Sequence, residues 1–240
     1  MSKRPGIYSD IGKKAGDLLY QDYTQEPPIH FHYKFLDWSF KLSCQIKELV
    51  PPGFVTAFKF FIPYQSSNKV QLQYLHNYFG VATGINLTTK PQVNLSGVIG
   101  SSLFSIGTEL SFDSATGAFT NCNAGLSFNS AIHIAALTLN DRFDTLNFSC
   151  YRSVNSLTNT AVAAEVAHGF LSNETILTLG IQHALFPITM VKARANTSGQ
   201  VGALIQQKLL SSLILTIAGE VDVKAITTSG KVGLSLALGL

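Results

Sequence analysis

Lys192 and Arg194 stand two positions apart in the run Thr189-Met190-Val191-Lys192-Ala193-Arg194-Ala195-Asn196. In a strand, side chains two apart leave the same face, so both cations project one way while Val191, Ala193 and Ala195 project the other. Such a pair can draw anions to a wet surface but carries no covalent chemistry. The other ionisable residues point the same way. His76, His133, His168 and His183 fall in separate segments with no acid and Ser or Cys nucleophile at motif spacing, and no glycine-rich loop leads into a helix to hold phosphate. Glu165 and Glu220 read as wet-face charges, so no catalytic and no cofactor-binding residue is assigned, and the chain is not read as an enzyme. Cys44, Cys122 and Cys150 are odd in number, lack zinc spacing and fall on apolar faces, which reads as free thiols and no metal site. The net charge of +3 is small and scattered, unlike a nucleic-acid interface.

The elements that must carry these residues are strands. From about residue 30 onward the sequence alternates apolar and polar positions; Val93, Leu95 and Ile99, for example, oppose Gln92, Asn94 and Ser96. The alternation defines sixteen segments: 30–35, 38–46, 54–62, 69–77, 79–88, 92–100, 103–112, 118–128, 132–139, 145–151, 161–170, 176–184, 188–196, 200–208, 213–221 and 231–238. Short turns such as Pro51-Pro52-Gly53, Asn140-Asp141 and Asn196-Thr197-Ser198-Gly199 join them, which favours antiparallel neighbours. Only 13% of residues are charged and 46% are hydrophobic, yet no apolar run approaches the roughly 20 residues of a spanning helix. Strands with one dry and one wet face, repeated end to end, describe an all-β transmembrane barrel of about 16 antiparallel strands. Residues 29–240 form it.

Residues 1–28 behave differently. Ile7, Ile11, Ala15, Leu18 and Leu19 recur at helical spacing opposite Asp10, Lys13, Lys14 and Asp17, predicting a short N-terminal amphipathic helix that opens near Pro5 or Ser9. Gly12 and Gly16 weaken it, so it needs a surface to lie on. The segment also lacks the apolar core and cleavage site of a secretory signal, which favours an organelle membrane over bacterial export.

By parity the wet face carries Lys34, Lys41, Lys59, Lys192, Arg194, Lys208 and Lys231 against Glu109, Glu165 and Glu220, and Lys13 and Lys14 would add to the basic excess. These are the candidate pore-lining and selectivity residues, and their balance predicts modest anion preference. The dry face carries Phe58, Phe60, Leu72, Leu95, Ile106, Leu110, Leu126, Phe148, Val166, Leu177, Val191, Leu213, Leu215, Leu234 and Leu236. Aromatics near strand ends, Tyr151 among them, suit interfacial girdles.

Several strings resemble the voltage-dependent anion channels, or mitochondrial outer membrane porins, of plant type. Pro5-Gly6-Ile7-Tyr8-Ser9-Asp10-Ile11-Gly12-Lys13-Lys14-Ala15 looks like their N-terminal helix, Gln182-His183-Ala184-Leu185 with Val191-Lys192-Ala193-Arg194 like one of their strand pairs, and Gly219-Glu220-Val221-Asp222 with Lys231-Val232-Gly233-Leu234 like their C-terminal signature. The likeness covers residues 3–24 and about 54–238. It implies a passive, voltage-dependent, weakly anion-selective channel for metabolites and ions in the mitochondrial outer membrane, with the helix inside the lumen. Implied partners are membrane lipid, metabolite anions and nucleotides as permeants, the outer-membrane barrel insertion machinery that reads the last strand, and other copies in a homo-oligomer. Nucleic acid is not among them. The family barrel has about 19 strands, so about 3 are missing here after the helix. Gly53-Phe54-Val55 also stands where the family has a Gly-Leu-Lys triplet associated with nucleotide passage, and Gly16 replaces a basic residue. Two other readings stay open at this point: a non-conducting or degenerate porin paralogue, and a soluble all-β binding domain.

Overall fold

The computed structural model describes residues 5–23, 40–47, 54–62, 69–86, 91–186, 188–210, 213–224 and 230–238. They form a 3-10 turn at Tyr8–Asp10, a helix α1 at Lys13–Leu19, and fifteen strands. The strands are β1 Phe40–Lys47, β2 Phe54–Ile62, β3 Lys69–Leu75, β4 Phe79–Asn86, β5 Gln92–Gly100, β6 Phe104–Asp113, β7 Ala118–Asn129, β8 His133–Asn140, β9 Thr145–Asn155, β10 Thr160–Gly169, β11 Glu174–Phe186, β12 Thr189–Asn196, β13 Gln200–Leu210, β14 Leu213–Asp222 and β15 Lys231–Leu238. Their order in the sheet is their order in the chain. The registers from β1 to β7 and from β10 to β15 are antiparallel. The expected strand at 30–35 lies outside the described residues.

Turn chemistry explains why neighbours in sequence are neighbours in the sheet. Asn196 Oδ1 accepts hydrogen bonds from the backbone N–H of Gln200 at 2.8 Å and from Ser198 Oγ at 2.7 Å, closing the β12–β13 turn. Asp113 Oδ1 does the same for the N–H of Ala115 between β6 and β7. Asn and Asp side chains accept from backbone N–H groups two to four residues on here, which favours a turn over further extension.

Most expected strand bounds shift by no more than two residues, and two features differ further. The predicted N-terminal helix is split, because Gly12 takes a left-handed φ of 71° and ends the 3-10 turn before α1 begins. Strand β9 continues four residues beyond Tyr151. Arg152 interrupts the apolar alternation there, but the backbone ladder is indifferent to side-chain polarity, and the N–H of Ser153 bonds to the carbonyl of Ile132 at 2.9 Å.

The chain divides into two compact units, the first comprising Met1–Ile11, Lys34–Asn129 and Ala136–Leu146, the second Gly12–Tyr33, Ser130–Ala135 and Asn147–Leu240. In the first, the 3-10 turn rests on β5 and β6. Gly80, Ala82 and Gly84 of β4 are buried while Phe79, Val81 and Ile85, of the opposite parity, are exposed. On the same face as the N-terminal turn, Ser105 and Ser127 are buried and share a 2.7 Å hydrogen bond. In the second unit, α1 lies over β10, β11 and β12. Ala15, Leu18 and Leu19 pack on Ala161 and Ala163, and Tyr23 on Leu204 and Ala218.

In both units the face covered by the N-terminal residues holds the buried polar groups, Thr178, Lys192 and Thr216 among them. The opposite face is apolar and open: Leu179 is 53% and Ile205 49% exposed, with Ile181, Ile217 and Val221 similar. That is the reverse of a water-soluble sheet, which turns its apolar face inward. Outward parity matches the expected dry-face set, from Leu72, Leu95 and Ile106 to Phe148 and Leu234.

Candidate functional site

The last turn of α1 leaves carbonyl oxygens with no intrahelical partner, and two strand cations meet them. Lys192 Nζ donates to the Asp17 carbonyl at 3.1 Å, and Arg194 Nη1 to the Leu19 carbonyl at 2.9 Å. Positive charge at a helix C-terminus also opposes the helix dipole favourably. Arg194 Nη2 reaches Glu220 Oε1 at 2.7 Å, both side chains being 14% exposed. The guanidinium lies over two aromatic rings, 4.7 Å from the Tyr23 centroid and 5.4 Å from that of Tyr20. Cation–π contacts of this kind contribute about 0.5–2 kcal/mol each, more when water is excluded.

Register places these partners on one face. Gly180 pairs with Arg194, Arg194 with Gly202, Gly202 with Glu220, and Glu220 with Lys231. Further polar ties fix the residues after the helix. Tyr20 Oη donates to Glu165 Oε1 at 2.6 Å, and Gln206 Nε2 donates to Asp22 Oδ2 at 2.9 Å. Burial pushes both Tyr20 and Tyr23 up to about 12; the hydrogen bond to Glu165 adds to the rise at Tyr20, while Arg194 opposes it at Tyr23.

Beneath α1 the sheet makes room. A Cβ on Gly180 would stand 2.6 Å from Leu19 Cδ2 and 2.8 Å from Leu18 Cδ2, so only glycine lets those leucines seat fully. Leu19 is 0% exposed. Burying a leucine contributes about 1.5–3 kcal/mol, which a seven-residue helix with no stability of its own requires. Tyr151, expected in an interfacial girdle, instead packs against this cluster, with Lys14 Nζ 5.9 Å from its ring centroid. In the first unit Gly80 plays the same part, since a Cβ there would collide with the Gly6 carbonyl oxygen. Tyr8 is buried nearby, and burial together with the charge of Glu109 pushes it up to about 12.

The expected pore-lining residues fall into three groups. Lys192, Arg194, Glu165 and Glu220 are gathered at the end of α1 and engaged there; Lys192 is 7% exposed. Lys13, Lys14 and Lys208 are exposed, and Glu109 on β6 is half-buried beside Asn123. Lys41 on β1, Lys59 on β2 and Lys231 on β15 take register positions opposite Phe61, Ser43 and Glu220. Lys34 lies outside the described residues. Residue-type reasoning passed over Tyr20, Asp22, Tyr23 and Gln206, which sit in or against the anchoring site. The available signal was glycine inside strands at wet parity, Gly180 and Gly202 above all, since glycine there marks close approach of another segment. Cys122 and Cys150 are free thiols, and among the described residues no cluster suited to a metal is present.

A polar sheet face that seats an N-terminal helix, backed by an open apolar face, defines a membrane β-sheet protein of porin type. Comparison agrees. A solved structure of a mutant Rh. blastica porin aligns with a TM-score of 0.61 over 82% of this chain and 88% of that one, at 9% identity, which shows the fold alone. Residues 31–233 match the family model of eukaryotic porins. The mitochondrial outer membrane protein porin of 36 kDa from Solanum tuberosum is 45% identical over 99% of both chains, and the mitochondrial outer membrane protein porin 1 of Arabidopsis thaliana 42% identical over 99% of both. The chain therefore belongs to the eukaryotic porin family, a family of pore-forming membrane channels and not of enzymes. The alignment with the potato protein spans 280 positions whereas this chain has 240 residues, so at least forty of those positions have no counterpart here.

Proposed function

We propose that the sheet closes as a shortened transmembrane barrel of the mitochondrial outer membrane, with residues 29–240 forming the wall and residues 1–28 an associated segment along the lumen. The channel passes metabolite anions and small ions passively. The observation that carries this reading is the inverted sheet: polar groups lie under the N-terminal segment, and large aliphatic side chains stand open on the other side. Dry side chains at that density suit lipid and not water. The relatives from Solanum tuberosum and Arabidopsis thaliana are named mitochondrial outer membrane porins, which supports the location.

Anion preference rests on the exposed cations Lys13, Lys14 and Lys208 more than on Lys192 and Arg194, whose charge faces helix carbonyls and Glu220. In a wide wet pore screened over about 10 Å the preference is modest. Voltage dependence follows if the field shifts the charged N-terminal segment between its seat and a released position. The seat depends on a few polar ties, so its population is adjustable. Insertion by the outer-membrane barrel machinery and self-association of copies complete the reading.

Planar-bilayer recording tests it. Purified protein should give discrete conductance steps, a reversal potential of anion sign in a salt gradient, and closure at higher voltage of either polarity. Protein that stays in the aqueous phase without detergent and gives no steps overturns the channel reading.

A further inference from the structure

Strand β9 carries an arginine where outward parity calls for an apolar residue. Phe148 and Cys150 precede Arg152 on that side and Val154 follows it. Arg152 is exposed, and its side chain makes no hydrogen bond or ion pair among the described residues. It lines a groove of about 630 Å³ on the outward face of the second unit. The groove has its shape because alanines flank a ridge of larger residues: Leu179 pairs with Ala164 on one side and Ala195 on the other, and Ile181 pairs with Ala193. Its volume lies in the range that holds one small ligand.

An apolar trough beside an uncompensated guanidinium asks for a molecule with an apolar chain and an anionic head. Resting on the membrane reading above, we infer that this groove seats an acyl chain of an anionic phospholipid whose phosphate is held by Arg152. The guanidinium presents forked N–H donors that match phosphate oxygens. Arg152 lies three residues before the end of β9, at Asn155, near headgroup level, where a long cationic side chain on a lipid face is tolerated. A second copy docking by the same face is the poorer fit. Outward positions of β9 to β14 include Arg152, His168 and His183 but no Asp or Glu, so that copy would bring no counter-charge.

Native mass spectrometry of the full chain released from neutral detergent tests this, using phosphatidylglycerol and phosphatidylcholine with identical acyl chains. The wild-type protein should retain one phosphatidylglycerol about fivefold more tightly than phosphatidylcholine, the factor expected for one basic residue at a membrane surface. Arg152→Gln should equalise the two lipids, Arg152→Lys should keep most of the preference, and Ala193→Phe should weaken retention of both. Equal retention of the two lipids by the wild type, an unchanged preference in Arg152→Gln, or a dimer that excludes lipid would overturn the inference. Conductance of the same preparations in phosphatidylcholine bilayers separates the two failures. Steps without a lipid preference sink only the phospholipid site; protein that neither inserts nor conducts sinks the membrane reading beneath it.

Discussion

The carbonyl oxygen of Leu19 accepts a hydrogen bond from Arg194 Nη1 at 2.9 Å, across 175 residues of sequence. The same guanidinium holds Glu220 and lies over Tyr20 and Tyr23, so one strand cation ties the helix end, the residues after it and the neighbouring strands together. A residue that reads as a selectivity charge acts first as an anchor.

Replacing that anchor should release the segment. Arg194→Gln removes a charged hydrogen bond worth about 2 kcal/mol, together with the 2.7 Å contact to Glu220. Trypsin cleavage at Lys13 and Lys14 should accelerate by about tenfold or more, since 1.4 kcal/mol is one decade, and single-channel records should become noisier. Unchanged cleavage and unchanged records would show that the guanidinium does not hold the helix.

Two glycines should respond with opposite signs. Around Gly16, in α1, a Cβ would meet nothing within 4 Å, so Gly16→Ala should strengthen the helix by about 1 kcal/mol and slow the same cleavage. Gly180→Leu would instead fill the space that Leu18 and Leu19 occupy and drive the helix from its seat. If both variants moved protection the same way, the packing account would fail.

Selectivity should follow exposure. Lys208 is exposed on the wet-parity side of β13, so Lys208→Glu should move the reversal potential in a salt gradient toward cations. Lys192→Gln, buried under the helix end, should move it less while altering gating more. A larger selectivity shift at Lys192 than at Lys208 would reverse this assignment.

Alkaline pH should loosen the segment. Tyr8, Tyr20 and Tyr23 are pushed up to about 12 in place, against about 10 when the segment is released. Their contribution to docking is therefore fully present below about pH 10 and is lost as pH rises toward 12, because the released state gives up its protons first. Tyrosinate absorbance should show late-titrating groups in wild-type protein, and early titration of Tyr8 and Tyr23 would contradict their buried placement. Tyr23→Phe should change docking little: Tyr23 Oη has no hydrogen-bond partner among the described residues, and the ring contact is kept.

Strand positions were largely legible because alternation is a local signal. The bounds of β5 at Gln92–Gly100 and β15 at Lys231–Leu238 coincide with the expected segments, and dry-face residues such as Leu95 and Phe148 fall outward. Where local pattern and backbone pairing disagreed, pairing won. Strand β9 runs through Arg152 because the ladder needs only N–H and C=O groups, and the N-terminal helix breaks at Gly12 because a left-handed residue cannot continue it. A place near an expected strand end suits Tyr151 to an interfacial girdle, whereas its parity turns it toward α1.

The sequence by itself determined the two faces of the sheet and the order of its strands, since a period of two fixes sidedness and short turns fix adjacency. Only the tertiary structure decided which wet-face charges stay open and which are committed. Lys208 and Lys192 have the same parity and the same charge, but one meets water and the other a helix carbonyl contributed from 175 residues away. A contact between segments so distant leaves no local pattern along the chain and exists only once the helix has found its seat.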